Sequence, residues 1–69
     1  MKVSARNVLK GTIKEVRTGM INTEVLLVME GGSELVSIIT KDASEALALK
    51  VGGTAYAVIK ASNVMIAVD

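Results

Sequence analysis

The stretch Ser37-Ile38-Ile39-Thr40-Lys41-Asp42-Ala43-Ser44-Glu45-Ala46-Leu47-Ala48-Leu49-Lys50-Val51-Gly52-Gly53-Thr54-Ala55-Tyr56 is where the sequence changes its period and then changes it back. Glu34 to Thr40 on one side and Thr54 to Ala61 on the other read as strands, the second strongly apolar and centred on Tyr56-Ala57-Val58-Ile59. Between them Asp42-Ala43-Ser44-Glu45 has the form of a capping box, with Asp42 as N-cap and Glu45 three residues on. Ala46, Leu47 and Leu49 follow with good helix propensity, and Gly52-Gly53 ends the run. The spacing predicts a helix of about two turns between two strands.

Upstream, Val8 to Val16 loosely alternates apolar and polar residues, and Gly11 inside it suggests a bulge or a tight bend. Thr18-Gly19 marks a turn. Ile21 to Met29 is a second strand, whose half Val25-Leu26-Leu27-Val28-Met29 is apolar on both faces. A strand covered on both sides in so short a protein implies packing against another chain. Glu30-Gly31-Gly32-Ser33 is a hairpin turn before the Glu34–Thr40 strand. After the fourth strand, Ser62-Asn63 is a turn and Val64 to Val68 reads as a fifth strand. Three strands, one short helix and two strands is the order of an OB-fold, so the expectation is an all-β domain over residues 1–69, a five-stranded OB-like Greek-key barrel with one short helix. An SH3-like barrel offers no natural place for the Asp42–Leu49 helix.

Composition narrows the function. The 69 residues contain eight Lys and Arg against seven Asp and Glu, with no His, Cys, Pro, Trp or Phe. Without Cys or His there is no thiolate nucleophile, imidazole base, disulfide or ordinary zinc site. The carboxylates fall in turns, on alternating faces or at the helix start, where solvation and capping account for them. An enzyme is not expected. A net charge of +1 gives no long-range field for a polyanion, and one aromatic residue, Tyr56, gives little base stacking. Half of the residues are hydrophobic (51%), more than a lone domain of this size can cover. An obligate oligomer is the expected remedy. No secretory leader and no apolar stretch of bilayer length is visible, so a soluble cytoplasmic protein is the simplest expectation.

Two clusters suit an anion. Arg6 sits in Ser4-Ala5-Arg6-Asn7 at the start of strand one, and Lys60 sits beside Ala61-Ser62-Asn63 at the end of strand four. Each joins a cation to hydroxyl or amide donors and to turn N–H groups, which is what an oxyanion needs. Thr40, ahead of the helix, is a third candidate. The alternative is that Arg6 and Lys60 are ordinary surface cations and Thr40 a local cap; no spacing rule ties the three together.

Ser4-Ala5-Arg6-Asn7 followed by Leu9-Lys10-Gly11 resembles the Mop domain of molybdate-binding proteins, and the likeness runs over nearly the whole chain. Asn22-Thr23-Glu24-Val25, Ser37-Ile38-Ile39-Thr40 and Ala57-Val58-Ile59-Lys60-Ala61-Ser62-Asn63-Val64-Met65 carry it onward, and the length is similar to that of the stand-alone members, the molbindins. The resemblance implies an OB-like barrel, a homohexamer built as a trimer of dimers, and molybdate or tungstate held without direct metal ligation where subunits meet, for storage or buffering. No cofactor is implied. Carried over by position, Ser4, Arg6, Thr40, Lys60, Ala61 and Ser62 would bind the anion. Relatives often have a hydroxyl residue where this chain has Ala43, with Ser44 one step later. A second class of site near the threefold axis would involve Gly19, Met20, Ile21 and Asn22 through backbone N–H groups. The competing reading is an OB-type nucleic-acid-binding module or a regulatory interaction module.

Overall fold

The computed structural model describes all residues, Met1–Asp69. Four strands form one antiparallel sheet: β1 (Asn7–Thr18), β2 (Asn22–Met29), β3 (Glu34–Thr40) and β4 (Thr54–Ile59), in the order β3-β2-β1-β4. One short helix, α1 (Lys41–Ala46), lies between β3 and β4. The long β1 is the spine, pairing with β2 along one edge and with β4 along the other.

The side-chain alternation of these strands makes one face a small core. Ile13, Val25 and Leu27 are fully buried there, with Val16, Met29, Leu35, Ile39, Leu49, Ala55 and Ala57 packed around them. On the other face of the apolar run in β2, Leu26 and Val28 are only half-buried, while Val36 and Ile38 on β3 are exposed. The sheet curls so that Leu35, Val36 and Ser37 of β3 and Tyr56, Ala57 and Val58 of β4 line one apolar slot of about 210 Å³ over Leu27. No ladder joins β3 to β4, so the curl is that of a half-barrel.

The glycine in β1 acts through close approach rather than through a bulge. A Cβ on Gly11 would lie 2.5 Å from the Met29 methyl carbon and 2.9 Å from the Val28 carbonyl oxygen. The register shift falls further along, between Ile13 and Glu15, leaving Lys14 as the extra residue.

The fifth strand does not form. A tight 3-10 turn over Ala61–Asn63 follows β4, and Val64–Asp69 pairs with no strand. Its apolar side chains stand in the open: Met65 is 93% exposed, Ile66 86% and Val68 91%. An alternating apolar sequence becomes a strand only when an edge accepts it. The free edges of β3 and β4 within this chain do not receive it.

The helix also differs from the expectation. Its N-cap is Thr40, not Asp42: the Thr40 hydroxyl accepts the Ala43 N–H at 3.0 Å, and Thr40 keeps an extended backbone. Two cap-forming residues stand two positions apart, and the one at the end of β3 meets the free N–H groups first. Asp42 then lies in the first turn, beside the positive end of the helix. The helix stops at Ala46 rather than at the glycines. Ala48 adopts φ +51°, its N–H reaches the Glu45 carbonyl, and the Leu49 N–H reaches that of Ser44, a Schellman ending built without glycine. Gly52 and Gly53 instead dock the following turn on β1 through paired bonds with Ile13, at 2.8 and 2.9 Å.

A buried hydroxyl pair ties α1 to the sheet. Thr23 of β2 has no exposed surface, and its Oγ1 lies 3.1 Å from Oγ of Ser44. Ser44 donates to the Lys41 carbonyl at 2.8 Å. A serine hydroxyl has one proton, so Thr23 is the donor in the bond between the two. No helix is long and apolar enough to cross a membrane.

Candidate anion-binding site

The antiparallel register brings the two cation clusters together. Val8 faces Val58 and Asn7 faces Ile59 at the end of the β1–β4 ladder. Arg6 and Lys60, each one residue beyond that last pair, line the same hollow. Both are exposed and neither forms an ion pair; the two pairs present are Lys14–Glu34 at 2.9 Å and Arg17–Glu15 at 3.6 Å. Like charges repel, so two cations lining one hollow are a place that an anion relieves.

Ser4, Ala5, Arg6, Lys60, Ala61, Ser62 and Asn63, with Val58 at the base, line an open hollow of about 610 Å³. No carboxylate is among them. The turn supplies further donors. Asn63 N–H closes on the Lys60 carbonyl at 2.8 Å and Val64 N–H on that of Ala61 at 3.3 Å, which leaves the N–H groups of Ala61 and Ser62 without a backbone acceptor. A guanidinium, an ammonium, two hydroxyls and two free amides thus surround one space. The chemistry of that donor set is oxyanion binding. No group of His, Cys, Asp and Glu side chains stands ready to ligate a metal ion directly.

Five of the six residues expected to bind the anion therefore share one hollow; Thr40 does not. It ends β3 opposite Asn22, at the end of the sheet away from Asn7 and Ile59, and its hydroxyl caps α1. Ser44 does not stand in for the missing hydroxyl at Ala43, because it is buried and bound to Thr23 and to the Lys41 carbonyl. The second-site candidates separate too. Gly19 and Asn22 line a hollow of about 350 Å³ with Arg17, Thr18 and Glu24, whereas Met20 and Ile21 protrude from the loop. In that loop the Gly19 N–H is already bonded to the Asn22 carbonyl at 2.8 Å, and the Ile21 carbonyl takes the Lys41 N–H at 2.8 Å. Ala5 and Asn63 were in the clusters read from the sequence but not among the expected binding residues, and Asn7 gained meaning only with the register. Its side-chain amide donates to the Ile59 carbonyl at 3.2 Å.

Known proteins resemble this chain in sequence and in fold. Residues 3–66 match the TOBE domain. A probable molybdenum-pterin-binding protein of Haemophilus influenzae is 44% identical over 69 residues, covering the whole of both chains. Among solved structures, MopII from Clostridium pasteurianum superposes with a TM-score of 0.92 at 40% identity, covering 97% of this chain and all of the other. A cytoplasmic molybdate-binding protein, ModG, solved with molybdate bound, superposes with a TM-score of 0.90 at 52% identity, covering 94% of this chain and 46% of that longer one. These relatives are named as binding proteins, not as enzymes. The chain belongs to the TOBE-domain family, and it is similar over their whole length to small proteins named Mop or molybdenum-pterin-binding protein.

Proposed function

We propose that this protein, a single domain over residues 1–69, binds molybdate or tungstate as the intact oxyanion where copies of itself meet, and stores or buffers it in the cytoplasm. The observation that carries the reading is that Arg6 and Lys60, just beyond the end of the β1–β4 ladder, line one hollow with no carboxylate in it and with two free N–H groups beside them. A tetrahedral dianion stripped of water needs both charge compensation and several donors, and this set offers both. The molybdate-binding relatives support the choice of ligand.

Two features support a shared site in a homohexamer, a trimer of dimers. Thr40 lies at the opposite end of the sheet from Lys60, so it reaches such an anion only from a second copy. The exposed apolar segment Val64–Val68 and the open edges of β3 and β4 are complementary surfaces that a second copy can cover. Binding that requires the assembled state stabilises it by mass action. Selection against sulfate follows from size, since the two anions share charge and shape. Gly19, Met20, Ile21 and Asn22 belong to a second site in the same reading, completed by neighbouring copies. Native mass spectrometry with molybdate or sulfate is the test. Six copies retaining molybdate are expected; a monomer, or equal retention of sulfate, sinks the proposal.

A further inference from the structure

We infer that Asn7 is a positioning residue that fixes the separation of Arg6 and Lys60 and so sets the size selectivity of the hollow. The inference rests on the oxyanion reading of that hollow and adds a determinant of its specificity.

Asn7 immediately follows Arg6, and its side-chain amide donates to the carbonyl of Ile59, the residue immediately before Lys60. No other side chain makes a hydrogen bond between β1 and β4. The bond sits on the last pair of the ladder; beyond it no further ladder pair joins the strands, and the two like charges that line the hollow repel each other. Because the peptide unit is planar, fixing the Ile59 carbonyl also fixes the N–H of Lys60 and the direction in which the chain enters the Ala61–Asn63 turn. One short side chain thus governs both walls: the strand end carrying Arg6 and the turn carrying Lys60 and the free amides of Ala61 and Ser62. Asn7 is half-buried and does not itself line the hollow. It acts on the anion through these neighbours.

A residue that sets a spacing changes the ratio between anions of equal charge and unequal size, whereas a merely structural residue changes stability and leaves the ratio alone. The full chain and its Asn7→Ala and Asn7→Gln variants are titrated with sodium molybdate and with sodium sulfate, and melted without either anion. In Asn7→Ala, molybdate affinity falls roughly tenfold with little change for sulfate, as expected for the loss of one ordering hydrogen bond. In Asn7→Gln, the amide is kept on a longer stem, so the melting temperature stays near that of the parent while the molybdate-to-sulfate ratio still falls by roughly threefold. If Asn7→Ala does not fold, the glutamine variant decides alone. A ratio within about twofold of the parent in every variant that folds overturns the positioning role while leaving the oxyanion site intact. A parent chain with no preference for molybdate overturns both.

Discussion

The two ends of the sheet are built from similar residues and do opposite things. At the end where β1 begins and β4 finishes, Arg6, Lys60, Ser4, Ser62 and two N–H groups face one hollow with their hydrogen-bonding capacity uncommitted. At the end where β1 finishes, the Gly19 N–H is committed to the Asn22 carbonyl and the Thr40 hydroxyl accepts the Ala43 N–H, and the N–H groups of Met20 and Ile21 that remain without a backbone acceptor sit on a protruding loop. Glu15 and Glu24 add negative charge there, and Arg17 is already paired with Glu15. The difference teaches that donor-rich sequence is not itself a site. What makes a site is a set of donors that local structure leaves unpaired, together with charge that nothing within the chain neutralises.

The largest effect comes from removing the charge at the open end. Arg6→Ala combined with Lys60→Ala reduces molybdate affinity by roughly hundredfold or more, because two charge-assisted contacts are lost. Without anion, the same variant melts no lower than the parent, since the two cations repel each other; calorimetry with and without molybdate reads both. Retained affinity would move the site elsewhere.

At the closed end the effects are on stability first. Thr40→Ala removes the helix cap and costs about 1 kcal/mol, read by urea denaturation without ligand. If a second copy presents Thr40 to the anion, affinity also drops by roughly tenfold, still far less than for the cation pair. Ala48→Gly acts in the other direction: it relieves a left-handed alanine costing about 1–2 kcal/mol and gives back about 0.4–1 kcal/mol in chain entropy, for a net gain of about 0.5 kcal/mol.

The smallest effect belongs to Lys14 and Glu34, an exposed pair away from both ends. The hydrogen bond to Glu34, aided by its charge, raises the Lys14 pKa above the usual 10.5. Its stabilisation is therefore complete below pH 10.5 and disappears as pH climbs through the raised value. Melting curves of the parent and Lys14→Gln, close at neutral pH because the pair is solvated, become indistinguishable in strong alkali.

The four strands could be read from the sequence because each carries its own alternation and its own turn residues, such as Gly31-Gly32 between β2 and β3. The helix was readable in place but not in its cap. Asp42 and Glu45 satisfy the box pattern, yet Thr40 reaches the Ala43 N–H, and that contest depends on where β3 stops. Val64–Val68 was misleading because an alternating pattern carries no information about whether an edge receives it. In the site, the donor types were visible, but the shared hollow of Arg6 and Lys60 was not. It depends on the pairing of Asn7 with Ile59, two residues 52 positions apart that sit on strands joined by no direct turn. Thr40 was grouped with them by resemblance, and one chain alone keeps them apart.

The hydroxyl pair beneath α1 gives the molecule an internal clock. The Thr23 proton is sealed from water and points one way, toward Ser44, so it leaves only when the helix lifts from the sheet. In water it should appear as a distinct, slowly exchanging proton resonance, and its lifetime counts those openings one by one.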